Sequence, residues 1–286
     1  MKIVSRIILS MTFALMITLS FTSYVQAEPF KSMSFGGATG LISTPTAHTG
    51  WEGNKLGLDV GYHYVHADKK DIGAEDGNYH IPKALVHIGI GSTSLELGFA
   101  YDIQPDWRND DKTNDMLFNA KWVFMKGLAI GGNFQRLETN WGHSLRSRST
   151  KKDEKINDKQ IYFAATYPGD FFTMPAEVTM VVGHTFYGKK QGNDDNDNID
   201  FSMGFDLDLL PKTFKHYVHW INDFSNYSYS TEAGGADAWY RGCFNTGVRI
   251  AFLKDKRLKL NLDIIMTDAF DENRDWAVGL TFGSSL

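Results

Sequence analysis

Ile199-Asp200-Phe201-Ser202-Met203-Gly204-Phe205-Asp206-Leu207-Asp208-Leu209 decides the fold. Its odd positions are all apolar. Its even positions are acidic, hydroxylic or glycine. A period of two puts every acid on one side of a strand, whereas a helix would spread the acids around its circumference. Leu258 to Met266 repeats the pattern, with Leu258, Leu260, Leu262, Ile264 and Met266 against Lys259, Asn261, Asp263 and Ile265. Near the end, Trp276, Val278, Leu280 and Phe282 alternate with Asp275, Ala277, Gly279 and Thr281.

Extended along the chain, the same reading predicts about twelve strands. They fall near 55–66, 80–90, 94–102, 115–125, 128–137, 159–167, 176–187, 198–209, 213–224, 242–253, 257–267 and 275–283. Lengths of about 9 to 12 residues suit tilted strands crossing a bilayer better than the shorter strands of soluble sandwiches. The connections alternate. Short ones lie near 91–93, 126–127, 168–175, 210–212 and 254–256; long polar ones lie near 67–79, 103–114, 138–158, 188–197, 225–241 and 268–274. Strict short-long alternation with an even strand number predicts an all-β, transmembrane up-and-down antiparallel barrel. A soluble sandwich would share the alternation of residues but has no reason to alternate its loops. Aromatics cluster at strand ends, among them Tyr62, Trp122, Tyr167, Trp220 and Trp276, as interface girdles do.

The first 27 residues read as a cleaved signal peptide. Lys2 and Arg6 precede the apolar run Ile7 to Phe21, and Val25-Gln26-Ala27 supplies a small-x-small site. Residues 28–54 then form a periplasmic lead-in, and 55–286 the barrel, with both termini periplasmic. Net charge is -5 and no basic patch stands out, which argues against nucleic acid. The single Cys243 can form no internal disulfide and fits no zinc spacing. The expected partners are outer-membrane lipid, the barrel-insertion machinery, and small solutes or polysaccharide.

If the apolar faces meet lipid, the polar faces line the lumen. The candidates are Asp59, His63, Lys83, His87, Glu96, Lys121, Glu177, Asp200, Asp206, Asp208, Lys215, His219, Asp223, Arg249, Lys259 and Asp263, with glycines between them. So many charges must be paired or wet. Two readings stand side by side: a narrow, weakly cation-preferring aqueous passage, or an ion-paired, plugged interior.

The lead-in carries Phe35-Gly36-Gly37-Ala38-Thr39-Gly40-Leu41-Ile42-Ser43-Thr44-Pro45-Thr46-Ala47, followed by Glu52-Gly53-Asn54-Lys55-Leu56-Gly57-Leu58. This resembles the opening of the YjbH-like outer-membrane proteins, in which a Gly-Leu-x-x-Thr-Pro-Thr-Ala-like segment precedes the first barrel strand. The resemblance covers about 25 residues and implies an association with exopolysaccharide production or export. The known members are much longer, and no site residue is carried over. Independently of any family, Gly36, Gly37 and Gly40 permit tight or positive-φ backbone, and Pro45 biases Thr44 toward an extended shape. Such a segment folds against the barrel mouth, inserts into it, or serves as a plain linker.

Enzymatic readings are weaker. Trp141-Gly142-His143-Ser144 sets a histidine beside a serine, but in a loop and without an orienting third group. His66 with Asp68, and Asp223, could be imagined at an outer rim in the manner of an omptin-like protease, but no motif joins them. Gly192 to Asn198 is rich in oxygen ligands yet lacks helix-loop-helix calcium spacing. His63, His87 and His219 could face inward, where a histidine pair binds metal or gates with pH. No cofactor or metal is expected. The sequence therefore points to a non-enzymatic barrel for passive transport or envelope support, with a structural or adhesive surface protein as the rival.

Overall fold

The computed structural model describes residues 31–67, 77–106, 111–137, 155–188, 199–226, 242–254, 257–270 and 275–286. Residues 1–27, the expected signal peptide, lie outside the described residues, as do the Trp141–Ser144 and Gly192–Asn198 motifs and Asp68.

Twelve strands close into one antiparallel barrel. After a short hairpin of β1 (Ser32–Met33) and β2 (Thr39–Gly40) come β3 (Leu56–Ala67), β4 (Gly77–Ile90), β5 (Thr93–Asp106) and β6 (Asp111–Met125). Next are β7 (Leu128–Leu137), β8 (Ile156–Phe171), β9 (Met174–Phe186) and β10 (Asp200–Asp208). A four-residue helix, α1 (Pro211–Phe214), precedes β11 (Val218–Ser225), β12 (Cys243–Lys254), β13 (Leu258–Thr267) and β14 (Asp275–Ser285). Neighbours in sequence are neighbours in the wall, and β14 pairs with β3 to close it, from Trp276↔His66 to Ser285↔Gly57. Closure leaves no unpaired edge, the condition under which strands can cross lipid. The β14 ladder extends through Leu286, whose N–H donates to the Leu56 carbonyl at 3.0 Å.

Alternation sorts the wall as expected. Leu58, Val60, Phe118, Trp122, Ile161, Phe163, Val182, Ile264, Leu280 and Phe282 are exposed on the outside. Between them, inward-pointing Asp59, Lys121, Asp263 and Thr281 are buried. An apolar outside around a polar inside inverts a soluble protein and fits a barrel solvated by lipid.

One predicted strand is shortened. Residues 213–224 continue the period-two pattern down to Lys215, but β11 begins only at Val218. Pro211 sits in the first turn of α1, where its missing N–H costs nothing, and Leu210, Lys215 and His216 adopt left-handed backbone that ends extended structure. Lys215 is therefore an exposed turn residue and not part of the lumen lining.

A closed barrel of this kind should run at two positions on SDS gels, one before and one after boiling. Leu280→Lys, in the middle of the lipid-facing belt, should lower unfolding stability by about 2–4 kcal/mol. An effect within about 0.5 kcal/mol, the norm for surface substitutions, would contradict the orientation of β14.

Candidate functional site: a lumen closed by its own chain

Eight strands make a barrel that side chains alone can fill, and twelve leave surplus width. Here residues 31–54 take up that space. Met33, Phe35, Leu41, Ile42, Ala47 and Trp51 are all buried, although the segment belongs to no barrel strand. Of the placements open to the lead-in, against the barrel mouth, inside it or as a linker, the segment takes the one inside the barrel. Its β1–β2 hairpin pairs Ser32↔Gly40 and Met33↔Thr39, and a second tight turn bridges Gly40 to Pro45. Gly37 takes φ +83° with its Cα side pressed on the Phe99 main chain, where a Cβ would meet backbone at 3.0 Å. The hairpin thus lies directly against β5, at a place only glycine fits.

Charged wall groups hold the segment by its main chain. Asp223 Oδ2 accepts the N–H groups of Ile42 at 3.0 Å, Ser43 at 2.6 Å and Thr44 at 2.8 Å. Its Oδ1 accepts from Asn245 Nδ2 at 2.9 Å. Arg249 donates to the carbonyls of Gly40 at 3.0 Å and Leu41 at 3.1 Å. The same guanidinium grips Asp263 through Nε at 2.8 Å and Nη2 at 3.0 Å, the planar two-point geometry that suits arginine. The turn 40–44 is therefore clamped by a cation on its carbonyls and an anion on its N–H groups.

Further contacts repeat this logic around the wall. Lys83 donates to the Ser34 carbonyl at 2.6 Å, Asn119 to Gly36 at 2.8 Å and Lys121 to Thr39 at 2.9 Å. Glu96 pairs with Lys121 at 2.9 Å and accepts the Thr39 hydroxyl and the Gly50 N–H, each at 2.6 Å. Asp59 pairs with Lys259 at 2.7 Å and accepts the Trp51 indole N–H at 2.8 Å, while Lys259 also lies 4.7 Å over the Trp51 ring. Ala47 N–H donates to Thr166 at 2.8 Å. Each buried ion is thus compensated by a counterion or by oriented peptide groups, as burial demands.

Apolar groups complete the contact between segment and wall. Phe35, Leu41 and Ile42 pack with the inward-facing Val65, Tyr79, Ile81, Ala100, Leu117, Ile221, Ile265 and Ala277. These wall positions share the inward parity of His63, Asp223 and Asp263, so the lumen is not uniformly polar. On the other side Ala47 packs with Val123, Ala129, Tyr162, Ala164 and Val181.

Of the predicted lumen residues, Asp59, Lys83, His87, Glu96, Lys121, Glu177, Asp223, Arg249 and Lys259 touch the segment directly. His63 and Asp263 sit behind it, with His63 3.8 Å from Asp263 and edge-on to Phe35. Asp206 pairs with His219, and Asp208 with His216. Asp200 accepts from Gln160 at 2.8 Å and from Thr185, away from the segment. His63 and His87 both face inward, but they stand opposite Ile81 and Gly57 respectively, so adjacent strands do not unite them into a pair. Thr166 and Trp51 went unforeseen. Trp51 could have been found from its setting, since a tryptophan in a glycine-rich stretch before a barrel needs a place to bury itself.

No family model and no curated protein matches the chain. Among solved structures it is similar to the KdgM porin, with TM-score 0.41, 10% identity, and 80% of this chain and 99% of that chain covered. The translocator domain of the autotransporter NalP from Neisseria meningitidis gives TM-score 0.48 and 11% identity over 82% and 90% of the two chains. An outer membrane channel from Pseudomonas putida F1 gives 0.43 and 10% over 92% and 100%. At these identities the likeness is one of barrel fold. Fold and exterior together define a transmembrane β-barrel, and its described lumen is occupied by the chain's own residues.

Asp223→Ala would orphan three main-chain donors at once, each costing about 1–3 kcal/mol when buried without a partner. Thermal or denaturant unfolding should show a loss of about 3 kcal/mol or more. Lys215→Ala should change stability by less than about 0.5 kcal/mol. Equal effects would contradict the clamp.

Proposed function

We propose that the protein is a passive conduit of the bacterial outer membrane, gated by residues 31–54. The observation that carries this reading is the chemistry of the hold. Charged side chains grip main-chain amides, and both partners can be taken over by water when the segment moves out. Lys83, Lys121, Arg249, Asp223 and Glu96 partner the segment's peptide groups while it is in place, and the same groups would line a wet passage once it leaves. In this reading the short-turn side and both termini face the periplasm, and the long loops face outward.

The wall also sets the class of solute. Around the segment stand the carboxylates of Asp59, Glu96, Glu177, Asp206, Asp223 and Asp263 and the cations Lys83, Lys121, Lys259 and Arg249. Withdrawal of the segment removes the peptide donors that offset Asp223 and Glu96, and the surplus of acid favours cations and polar neutral solutes over anions.

The stretch that resembles the YjbH-like proteins, Gly40 to Ala47, is the one clamped by Arg249, Asp223 and Thr166. That coincidence supports a kinship centred on the lumen segment. A link to surface polysaccharide forms part of this proposal, with small polar solutes as the simpler cargo.

In planar bilayers the wild type should be closed most of the time, and a variant lacking residues 32–50 should carry steady current with cations preferred. Adding Asp223→Asn and Glu96→Gln to that variant should weaken the preference. A deletion variant that still shifts on boiling yet carries no current would make the barrel a filled envelope element.

A further inference from the structure

One group on the segment faces the wall differently from the rest. His48 stands between two carboxylates, with Nδ1 at 2.6 Å from Glu52 Oε1 and Nε2 at 3.2 Å from Glu177 Oε2. Glu52 belongs to the segment itself and Glu177 to β9 of the wall. A neutral imidazole can donate to Glu52 but carries no charge for Glu177, whereas imidazolium donates to Glu52 and attracts Glu177 as an ion pair. Protonation therefore converts His48 into a bridge from segment to wall, and deprotonation leaves one nitrogen lone pair facing a carboxylate.

We infer that His48 is a proton-dependent latch on the lumen segment, closing the barrel in acid and easing it open as pH rises. The inference rests on the gated reading above and deepens it.

The surroundings bear on the sign. Lys31 pairs with Glu52 at 2.9 Å. Arg249 and Asp206 line the small cavity that His48, Glu177 and Lys31 also line, and Asp206 is engaged by His219. Burial and the Lys31 charge work against a proton on His48, but its hydrogen bond to Glu52 and its close ionic contact with Glu177 outweigh them, and its pKa is raised above the ordinary histidine value. Burial likewise opposes the charge of Glu52, yet His48 and Lys31 hold its pKa at about 2, so this arm of the bridge stays ionised. A raised pKa in the closed state means that the latch is fully engaged below the ordinary value near 6.5. It is lost as pH climbs through the higher closed-state value. Each unit of that rise is worth up to about tenfold in the closed-to-open ratio.

The test is single-channel recording of wild type, His48→Gln, Glu177→Gln and the variant lacking 32–50, from pH 5.5 to 8.5. Each protein is first shown to shift on boiling. Wild type should open severalfold more often at high pH, with a midpoint above 6.5. Glu177→Gln should move that midpoint down, and His48→Gln should be open more often than wild type in acid with a flattened profile. A flat wild-type profile, or His48→Gln with the wild-type profile, would overturn the latch so long as the deletion variant conducts. Silence of the deletion variant would instead overturn the gated reading beneath it.

Discussion

One carboxylate and one guanidinium hold the interior together. Asp223 collects three consecutive N–H groups of the turn 42–44, and Arg249, itself held by Asp263, takes the two carbonyls just before them. Hydrogen bonds to charged groups contribute about 1.5–3 kcal/mol each, well above neutral ones. The turn fixes where Leu41 and Ile42 point, and these meet Phe35 and the inward apolar wall residues. Without the clamp, an apolar cluster and a ring of ions would be left facing a space that neither could fill alone.

The constraint behind this arrangement is barrel width. Twelve strands enclose more volume than side chains can occupy, so the lumen must hold water or polypeptide. Polypeptide is demanding, because every peptide group taken into a closed space needs a partner. The segment meets the demand in two ways. Its β1–β2 hairpin and the 40–45 turn satisfy some groups internally, and Lys83, Asn119, Lys121, Glu96, Asp223 and Arg249 satisfy others from the wall. The wall charges in turn gain partners without bulk water. Segment and wall are mutually completing, and their contacts are of a kind that water can replace.

Much of this could be read from residue order. A period of two marked all twelve strands, because a lipid outside and a polar inside leave no other way to write a membrane strand. It also placed Asp59, Lys121, Asp263 and their neighbours inward. The same rule misplaced Lys215, since Lys215, Tyr217 and His219 keep the parity of Asp223 although left-handed backbone at Lys215 and His216 has already ended the strand. What alternation could not convey was which wall charge meets which segment atom. Most of those meetings join residues from 46 to 209 positions apart and depend on the depth to which the hairpin enters, which no local pattern encodes. Nor could parity show that inward Val65, Ile81 and Ile221 would form an apolar cap, because their partners Phe35, Leu41 and Ile42 lie in a stretch without strand periodicity.

The central claim is that residues 31–54 occupy the lumen in this register. Thr44 Oγ1 and Ser202 Oγ are in hydrogen-bond contact, one on the segment and one on the inner face of β10. The most direct measurement is oxidative cross-linking of Thr44→Cys with Ser202→Cys in the folded, membrane-inserted barrel, read by mass spectrometry of the linked peptides. An efficient disulfide between positions 44 and 202 is the expected result. Two free thiols at these positions, both taking up an alkylating reagent in a barrel that still shifts on boiling, would contradict it.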